Sequence, residues 1–170
     1  MNSDAHSYHY QATIDTSIGT LGIRTTDTAL TGVDFLPDDA AIIKPKTQVA
    51  KETILQIQCY LADSTFKFDI PLQLDITPFQ QSVIDQLVLI PVGTTTSYTD
   101  IAEKLSSGPR PVGQACKLNP IPIIIPCHRV ISKTGIGGYS GETEGPKLAI
   151  KHWLISYEST ALQDSLSSGK

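Results

Sequence analysis

Apolar and polar residues alternate at Tyr8, Tyr10, Ala12 and Ile14, and again at Leu21 and Ile23 beyond a turn at residues 16–19. A period of two predicts a β-hairpin, with residues 31–36 as a third strand. Pro37-Asp38-Asp39 ends that pattern. Between Gln48 and Leu61 the period changes: Ala50, Ile54, Ile57 and Leu61 recur as one stripe of a core-packed helix. Phe66, Phe68, Ile70, Leu72 and Leu74 then alternate strictly. They read as a strand, and Pro71, which has no N–H to donate, puts that strand at an edge. No chemical motif stands out in this stretch, so it reads as scaffold.

The character changes at Ile76. Thr77-Pro78 opens a helix, with a hydroxyl at the N-cap and proline at the first helical position, and Phe79, Val83 and Leu87 form its apolar face. After Ile90-Pro91-Val92-Gly93, Thr96-Ser97-Tyr98 begins a second short helix running to about Leu105. A break at Ser106-Ser107-Gly108-Pro109 precedes a third, over residues 110–118. Two short helices joined by a tight turn outline a helix-turn-helix, although many such pairs are simply packed helices. The apolar run at residues 121–125 reads as a buried strand that carries Cys127 to a pocket rim. Residues 135–141 hold four glycines around Tyr139-Ser140, suiting either a pocket wall against a planar ligand or an ordinary surface loop. Pro146 starts a last helix with Leu148, Ile150, Trp153, Leu154 and Tyr157 facing inward and Glu158 at its end, followed by a polar tail expected to fray. The expected organisation is α+β in two small domains, residues 1–75 and 76–160, with a tail at 161–170.

Composition narrows this picture. No run of the 170 residues approaches the ~20 apolar positions of a membrane helix, and the first ten residues lack signal-peptide character. A cytoplasmic protein, or a nuclear one in a eukaryote, is expected, with no membrane partner. Three cysteines, Cys59, Cys116 and Cys127, show neither CxxC nor Cys/His ligand spacing, which argues against a disulfide framework and against a structural metal. Cys59 reads as a small buried hydrophobe. The net charge of −4 hides an asymmetry: five Lys and Arg face twelve Asp and Glu in residues 1–100, against eight and five in residues 101–170. From Lys104 to Lys133 there are five bases and no acid, which suits an anionic partner bound by one face.

Cys127 sits in Pro126-Cys127-His128-Arg129-Val130, beside two basic residues. A thiol is a nucleophile only as thiolate, so it needs a base or a positive field. An imidazole fixed by a carboxylate supplies one, and Glu158, at the end of an otherwise apolar helix, is the best-placed carboxylate. On an extended strand Cys127 and His128 would point to opposite faces, so contact needs a bend or an intervening water. The alternative is a structural His128 and a solvated Glu158.

The run from Asn119 through Pro-Ile-Pro-Ile-Ile-Ile-Pro to Cys127-His-Arg-Val closely resembles the active-site signature of the O6-alkylguanine-DNA alkyltransferases. The resemblance spans about residues 77–159 and includes Ile90-Pro-Val-Gly, Ser97-Tyr98, Arg110-Pro-Val-Gly, Gly138-Tyr-Ser-Gly and Lys151-His-Trp-Leu-Ile-Ser-Tyr-Glu158 in the family's order. It implies a ribonuclease-H-like N-terminal α/β domain (antiparallel sheet plus helix) and a mostly helical C-terminal domain with a winged-helix-like helix-turn-helix. It also implies a cofactor-free, single-use DNA repair protein in which Cys127 irreversibly accepts the alkyl group of O6-alkylguanine after base flipping. By the same resemblance His128 takes the thiol proton through a water, Glu158 orients His128, and Tyr98 donates toward N3 of the leaving guanine. Asn119 braces the turn into the site. The carbonyls of Cys127 and Val130 read the guanine amino group, and Tyr139 and Ser140 line the pocket. Arg110 fills the vacated stack from a helix laid in the minor groove of double-stranded DNA, without sequence preference, and Thr99, Lys117 and Lys133 contact the backbone or groove. A monomer is expected.

Departures from the family pattern are Pro111, Gln114 and a longer loop at residues 142–147, which bears on the range of alkyl groups accepted. Two other readings stay open: a Cys-His-Glu hydrolase or acyl transferase, which would turn over, and a lesion-binding sensor without chemistry.

Overall fold

In the computed structural model, which describes residues 9–169, the alternating segments pair as an antiparallel sheet in the order β1 (Ala12–Thr16), β2 (Gly19–Thr25), β3 (Leu30–Leu36). Tyr8 lies outside the described residues. The register sets Ala12 opposite Ile23 and Ile14 opposite Leu21, so the inward side chains of both strands share one face. The chain divides into two compact units, the first reaching to Gln58 and including Asp69–Leu74. Its core holds Ala12, Leu21, Ile23, Leu30 and Val33 with Ala50 and Ile57 of helix α1 (Gln48–Ala62), none more than 2% exposed.

Three expectations for the chain from α1 to residue 74 need correction. The buried stripe of α1 is Ala50, Thr53, Ile57 and Tyr60, while Ile54 and Leu61 are half-buried. Thr53 enters the core because its hydroxyl bonds back to Val49 O at 2.8 Å, which satisfies the only polar atom of its side chain. The alternating run at residues 66–74 is extended but forms no strand; it makes one parallel bridge, Leu72 to Leu30. Leu30 N–H donates to Pro71 O and Gln73 N–H to Leu30 O, at 2.8 and 2.9 Å. Pro71 has no N–H to extend the ladder, and Asp69 is instead held at both its N–H and its carbonyl by the Gln56 amide. Cys59, read as buried, is half-exposed.

The second unit comprises Cys59–Phe68 and the chain from Asp75 onward. Helix α2 (Pro78–Leu87) begins with a capping box, in which Thr77 Oγ1 accepts from Gln80 N–H and the Gln80 side chain accepts from Thr77 N–H. A second box, Ser97 with Asp100, starts helix α3 (Tyr98–Lys104). Immediately before it the two-residue strand β4 (Thr96–Ser97) pairs in parallel with β5 (Val130–Ile131), which fixes Tyr98 beside the chain leaving Cys127. Helix α4 (Pro109–Lys117) has Pro111 at its third position, where the backbone N–H has no intrahelical partner, so this departure costs no hydrogen bond.

The last helix, α5 (Pro146–Ser167), is longer than expected: the tail does not fray at Ser159 but stays helical to Ser167. Hydroxyls of Ser159, Thr160, Ser165 and Ser167 each bond the carbonyl four residues back, and Leu162 packs over Gly93. Its inward face also differs. Lys151, Leu154 and Glu158 are buried, whereas Trp153 is 37% exposed and stacks on Tyr157 at 4.7 Å. Among the described residues no helix is long and apolar enough to cross a membrane.

Gly93 holds φ +77°, and a β-carbon there would meet Leu162 at 2.5 Å and Glu158 O at 3.0 Å. Gly93→Ala is expected to lose about 1–2 kcal/mol from the left-handed backbone alone, with a further loss as Leu162 moves, measured as a lower urea midpoint at unchanged m-value.

Candidate active site

The run at residues 121–125 is a turn and not the expected strand. Ile123 adopts φ +75°, and Ile125 N–H bonds to Ile121 O at 2.9 Å. A positive φ is strained for a β-branched residue, so something must hold it there. Asn119 does: its side-chain amide donates to Ile125 O at 2.9 Å and its carbonyl accepts from Ile121 N–H at 3.0 Å. Next, Cys127 N–H reaches back to Ile125 O at 2.8 Å across Pro126 (φ −82°, ψ 60°), an inverse γ-turn. The chain then makes one 3-10 turn, Cys127–Arg129, which replaces the two-fold alternation of a strand by a three-residue repeat. Cys127 and His128 therefore still leave the backbone in different directions, and no bond between them is formed.

His128 is fully buried, and its Nε2 lies 2.8 Å from Glu158 Oε1. Burial holds the imidazole below its usual pKa, outweighing the upward pull of Glu158, so it is neutral near pH 7. With Nε2 carrying the hydrogen toward the carboxylate, Nδ1 is the free acceptor, and it has no hydrogen-bond partner among the described residues. Glu158 is 1% exposed and is the convergence point of the site. It accepts from Tyr60 Oη at 2.7 Å, from Arg129 Nε and Nη2 at 2.9 and 2.8 Å, and at 3.5 Å from Gly93 N–H. Burial alone would raise its pKa, but the bonds from His128 and Arg129 hold it well below the carboxylate range. Arg129 also donates to Ile90 O at 2.7 Å. Its guanidinium thus serves Glu158, whereas adjacency in the sequence had suggested service to the thiol.

Cys127 is 3% exposed and lines a cavity of about 300 Å³ together with Tyr98, Cys116, Lys117, Tyr139 and Ser140. Burial pushes its thiol up; the Asn119 amide and Lys151 pull it back only in part. The outer wall is a two-residue hairpin, Tyr139 to Glu142, closed by backbone bonds of 2.8 and 2.9 Å. Ser140 (φ 47°) and Gly141 (φ 85°) give it the two left-handed centres of a type I′ turn. The loop that follows is not slack. Glu142 Oε2 accepts from Lys147 N–H at 3.1 Å, capping α5 in place of Gly145, which has no side chain to do so.

Lys151 was missed in the sequence. It is fully buried, donates to Val130 O at 2.6 Å and Gly138 O at 2.9 Å, and lies 3.5 Å from Tyr98 Oη. Burial lowers its pKa to about 8. Tyr60 was missed too. The signal available for Lys151 was its place seven residues before Glu158 and three before Leu154, on one helix face. The carbonyls of Val130 and Cys127 each already accept one bond, from Lys151 and from Val130 N–H, which leaves each a second lone pair. Arg110 and Lys133 are exposed and Thr99 is half-buried; none of the three lines the cavity, while Lys117 on α4 does.

A mixed α/β protein with a buried thiol at a pocket wall, a neutral imidazole clamped by a buried carboxylate behind it, and two short helices beside the opening defines the class. Residues 78–160 match the family model described as 6-O-methylguanine DNA methyltransferase, DNA binding domain. The chain is 36% identical over 161 residues to the constitutive methylated-DNA–protein-cysteine methyltransferase of Bacillus subtilis, covering 88% of this chain and 95% of that protein. It is 44% identical over 85 residues to the methylated-DNA–protein-cysteine methyltransferase of Archaeoglobus fulgidus, a match that spans half of this chain and 58% of the relative's length. The fold is similar to the crystal structure of Mycobacterium tuberculosis OGT in complex with DNA, with a TM-score of 0.73 and 33% identity over 88% of this chain and 92% of that one. The chain belongs to the methylated-DNA–protein-cysteine methyltransferase family.

Because Glu158 has a depressed pKa when folded, the stability it contributes is present above its unfolded value, about 4.3, and is lost as pH falls through the folded one. Glu158→Gln is therefore expected to lower stability by about 3–5 kcal/mol at pH 7, from Arg129 left unpaired. That difference should shrink steadily below about pH 4. Urea melts of both proteins across pH 3–8 measure it.

Proposed function

We propose that this chain repairs O6-alkylguanine in DNA by moving the alkyl group once, irreversibly, to Cys127. The observation that carries the reading is the buried Cys127 at the pocket wall with the His128–Glu158 pair behind it, in a chain of this family. A water at Nδ1 of His128 takes the thiol proton. The sulfur attacks the alkyl carbon, the carbon–O6 bond breaks, and its electron pair stays on the guanine, whose N3 is met by the Tyr98 hydroxyl. Burial raises the Tyr98 pKa, with the Cys116 and Cys127 thiols adding to it, so Tyr98 acts as a hydrogen-bond donor and stays protonated. The ammonium of Lys151, 3.5 Å away, stabilises the charge that develops there. Asn119 holds the strained turn and also draws the Cys127 thiol down through its side-chain amide, by less than burial raises it.

A guanine inside a duplex cannot reach a buried thiol, so the base leaves the stack, at a cost of a few kcal/mol. Arg110, exposed at the start of α4, fills the gap. On α4, Gly113 meets nothing within 4 Å of a would-be β-carbon, between the exposed Arg110, Gln114 and Lys117, which leaves room for close approach in a minor groove. Thr99, Lys117 and Lys133 contact the backbone, binding is independent of sequence, and the protein acts as a monomer whose first unit is scaffold. A thiol kept neutral until a substrate arrives fits single use better than a hydrolase or acyl transferase.

Mixed with an oligonucleotide duplex carrying O6-methylguanine, the protein should gain one methyl group per molecule by intact mass, mapped to Cys127 and absent in Cys127→Ala. Catalytic turnover without a stable adduct would refute the proposal. Arg110→Ala should slow transfer from duplex by about ten- to a hundredfold while leaving transfer from a free alkylated nucleobase unchanged, measured as single-turnover rates. Equal loss on both substrates would remove Arg110 from the flipping step.

A further inference from the structure

A second cavity, of about 440 Å³, lies within the same unit but shares no lining residue with the one that holds Cys127. Its walls include Tyr60, Ser64, Phe66, Lys67, Phe68 and Arg129. The aromatic side chains form one cluster: Phe66 and Phe68 meet edge to face at 5.8 Å, and Phe68 and Tyr60 are tilted at 5.4 Å. An offset or edge-on ring is the partner such a cluster takes up most readily.

The polar groups at this cavity have capacity to spare. Ser64 is 3% exposed, yet its hydroxyl has no hydrogen-bond partner among the described residues. A native buried hydroxyl without a partner is uncommon and calls for a reason, of which an absent ligand is one. Arg129 spends three of its five N–H donors, two on Glu158 and one on Ile90 O, which leaves two. Its positive charge is matched by Glu158, but that of Lys67 is matched by no carboxylate within salt-bridge distance among the described residues. The cavity therefore combines an aromatic wall, a spare hydroxyl, two spare guanidinium donors and an unmatched ammonium.

We propose that this cavity is a binding site for a small aromatic carboxylic acid. The ring of the acid packs against Phe66 and Phe68, and its carboxylate accepts from Arg129, Lys67 and the Ser64 hydroxyl. Such an acid shares Arg129 with Glu158, so its binding is linked through one guanidinium to the carboxylate that orients His128. The site needs no DNA and no alkyl transfer, and its test is independent of them.

The probe is 2-naphthoate, with 2-naphthamide as the uncharged control, titrated into the full-length protein and followed by calorimetry and by amide and guanidinium NMR. The expected Kd for the acid is on the order of a millimolar or below, with the amide about tenfold weaker. Resonances of Ser64, Lys67, Phe68 and Arg129 Nε–H should shift, and those of Tyr139 and Ser140 should not. Lys67→Gln and Phe66→Ala should each weaken the acid by about three- to tenfold while leaving single-turnover alkyl transfer without the acid unchanged. Equal affinity for acid and amide, shifts confined to Tyr139 and Ser140, affinity unmoved by both variants, or no binding at concentrations about tenfold above the expected Kd would each overturn the proposal.

Discussion

The second unit depends on keeping one buried carboxylate ionised. Glu158 is 1% exposed, and a buried charge of that kind is tolerated only when it is paired and hydrogen-bonded. Its four partners come from three places in the chain: Tyr60 from the last turn of α1, Gly93 from the loop after α2, and His128 and Arg129 from the 3-10 turn. Meeting the needs of one carboxylate therefore fixes the end of a helix, a loop and the thiol-bearing turn against α5. Arg129 is the essential member for charge, since His128 is neutral and Tyr60, its pKa raised by burial and by Glu158, is neutral too.

That arrangement explains how adjacent residues can be given separate tasks. Cys127 faces the cavity, His128 faces Glu158, and Arg129 closes the fork on the same carboxylate. A strand would have sent the first and third of these side chains to one side and the second to the other. The 3-10 turn distributes them around an axis instead, and the cost of making it is visible just upstream at Ile123, with its positive φ. The two bonds of the Asn119 side chain lie across that strained residue, so the turn is held by a neighbour of the site and not by substrate.

How much of this the sequence disclosed varied with the range of the interaction. Local signals were reliable: the Thr77 and Ser97 caps, the hairpin turn and the periodic face of α2 all lie within a few residues of their partners. The match of Glu158 to His128 could be chosen because each was a polar residue in an apolar context. Lys151 was passed over despite sharing a helix face with Leu154 and Glu158, since a lysine on a helix ordinarily points to water, and the carbonyls of Val130 and Gly138 that make its burial tolerable come from distant parts of the chain. Trp153 failed in the opposite sense: hydrophobicity placed it inward, yet it rests on the surface against Tyr157. The two runs read as strands, 66–74 and 121–125, share a cause. Both are apolar enough for a sheet, and in both a proline denies the backbone the donors a ladder needs.

The thiol presents an apparent contradiction that the geometry resolves. A nucleophile is usually prepared by lowering its pKa, yet burial raises that of Cys127, Lys151 offsets this only in part, and the adjacent Arg129 is committed to Glu158. A standing thiolate would be open to oxidation and to any passing electrophile, a serious loss for a protein proposed to act only once. In the proposed reaction, keeping the sulfur neutral defers activation to the moment when a substrate base enters the pocket. The proton then needs a prepared destination, and Nδ1 of a neutral His128, held in the correct tautomer by Glu158, is one. On the proposed reading, the buried carboxylate therefore acts less by making the thiol reactive at rest than by ensuring that the proton has somewhere to go when substrate arrives.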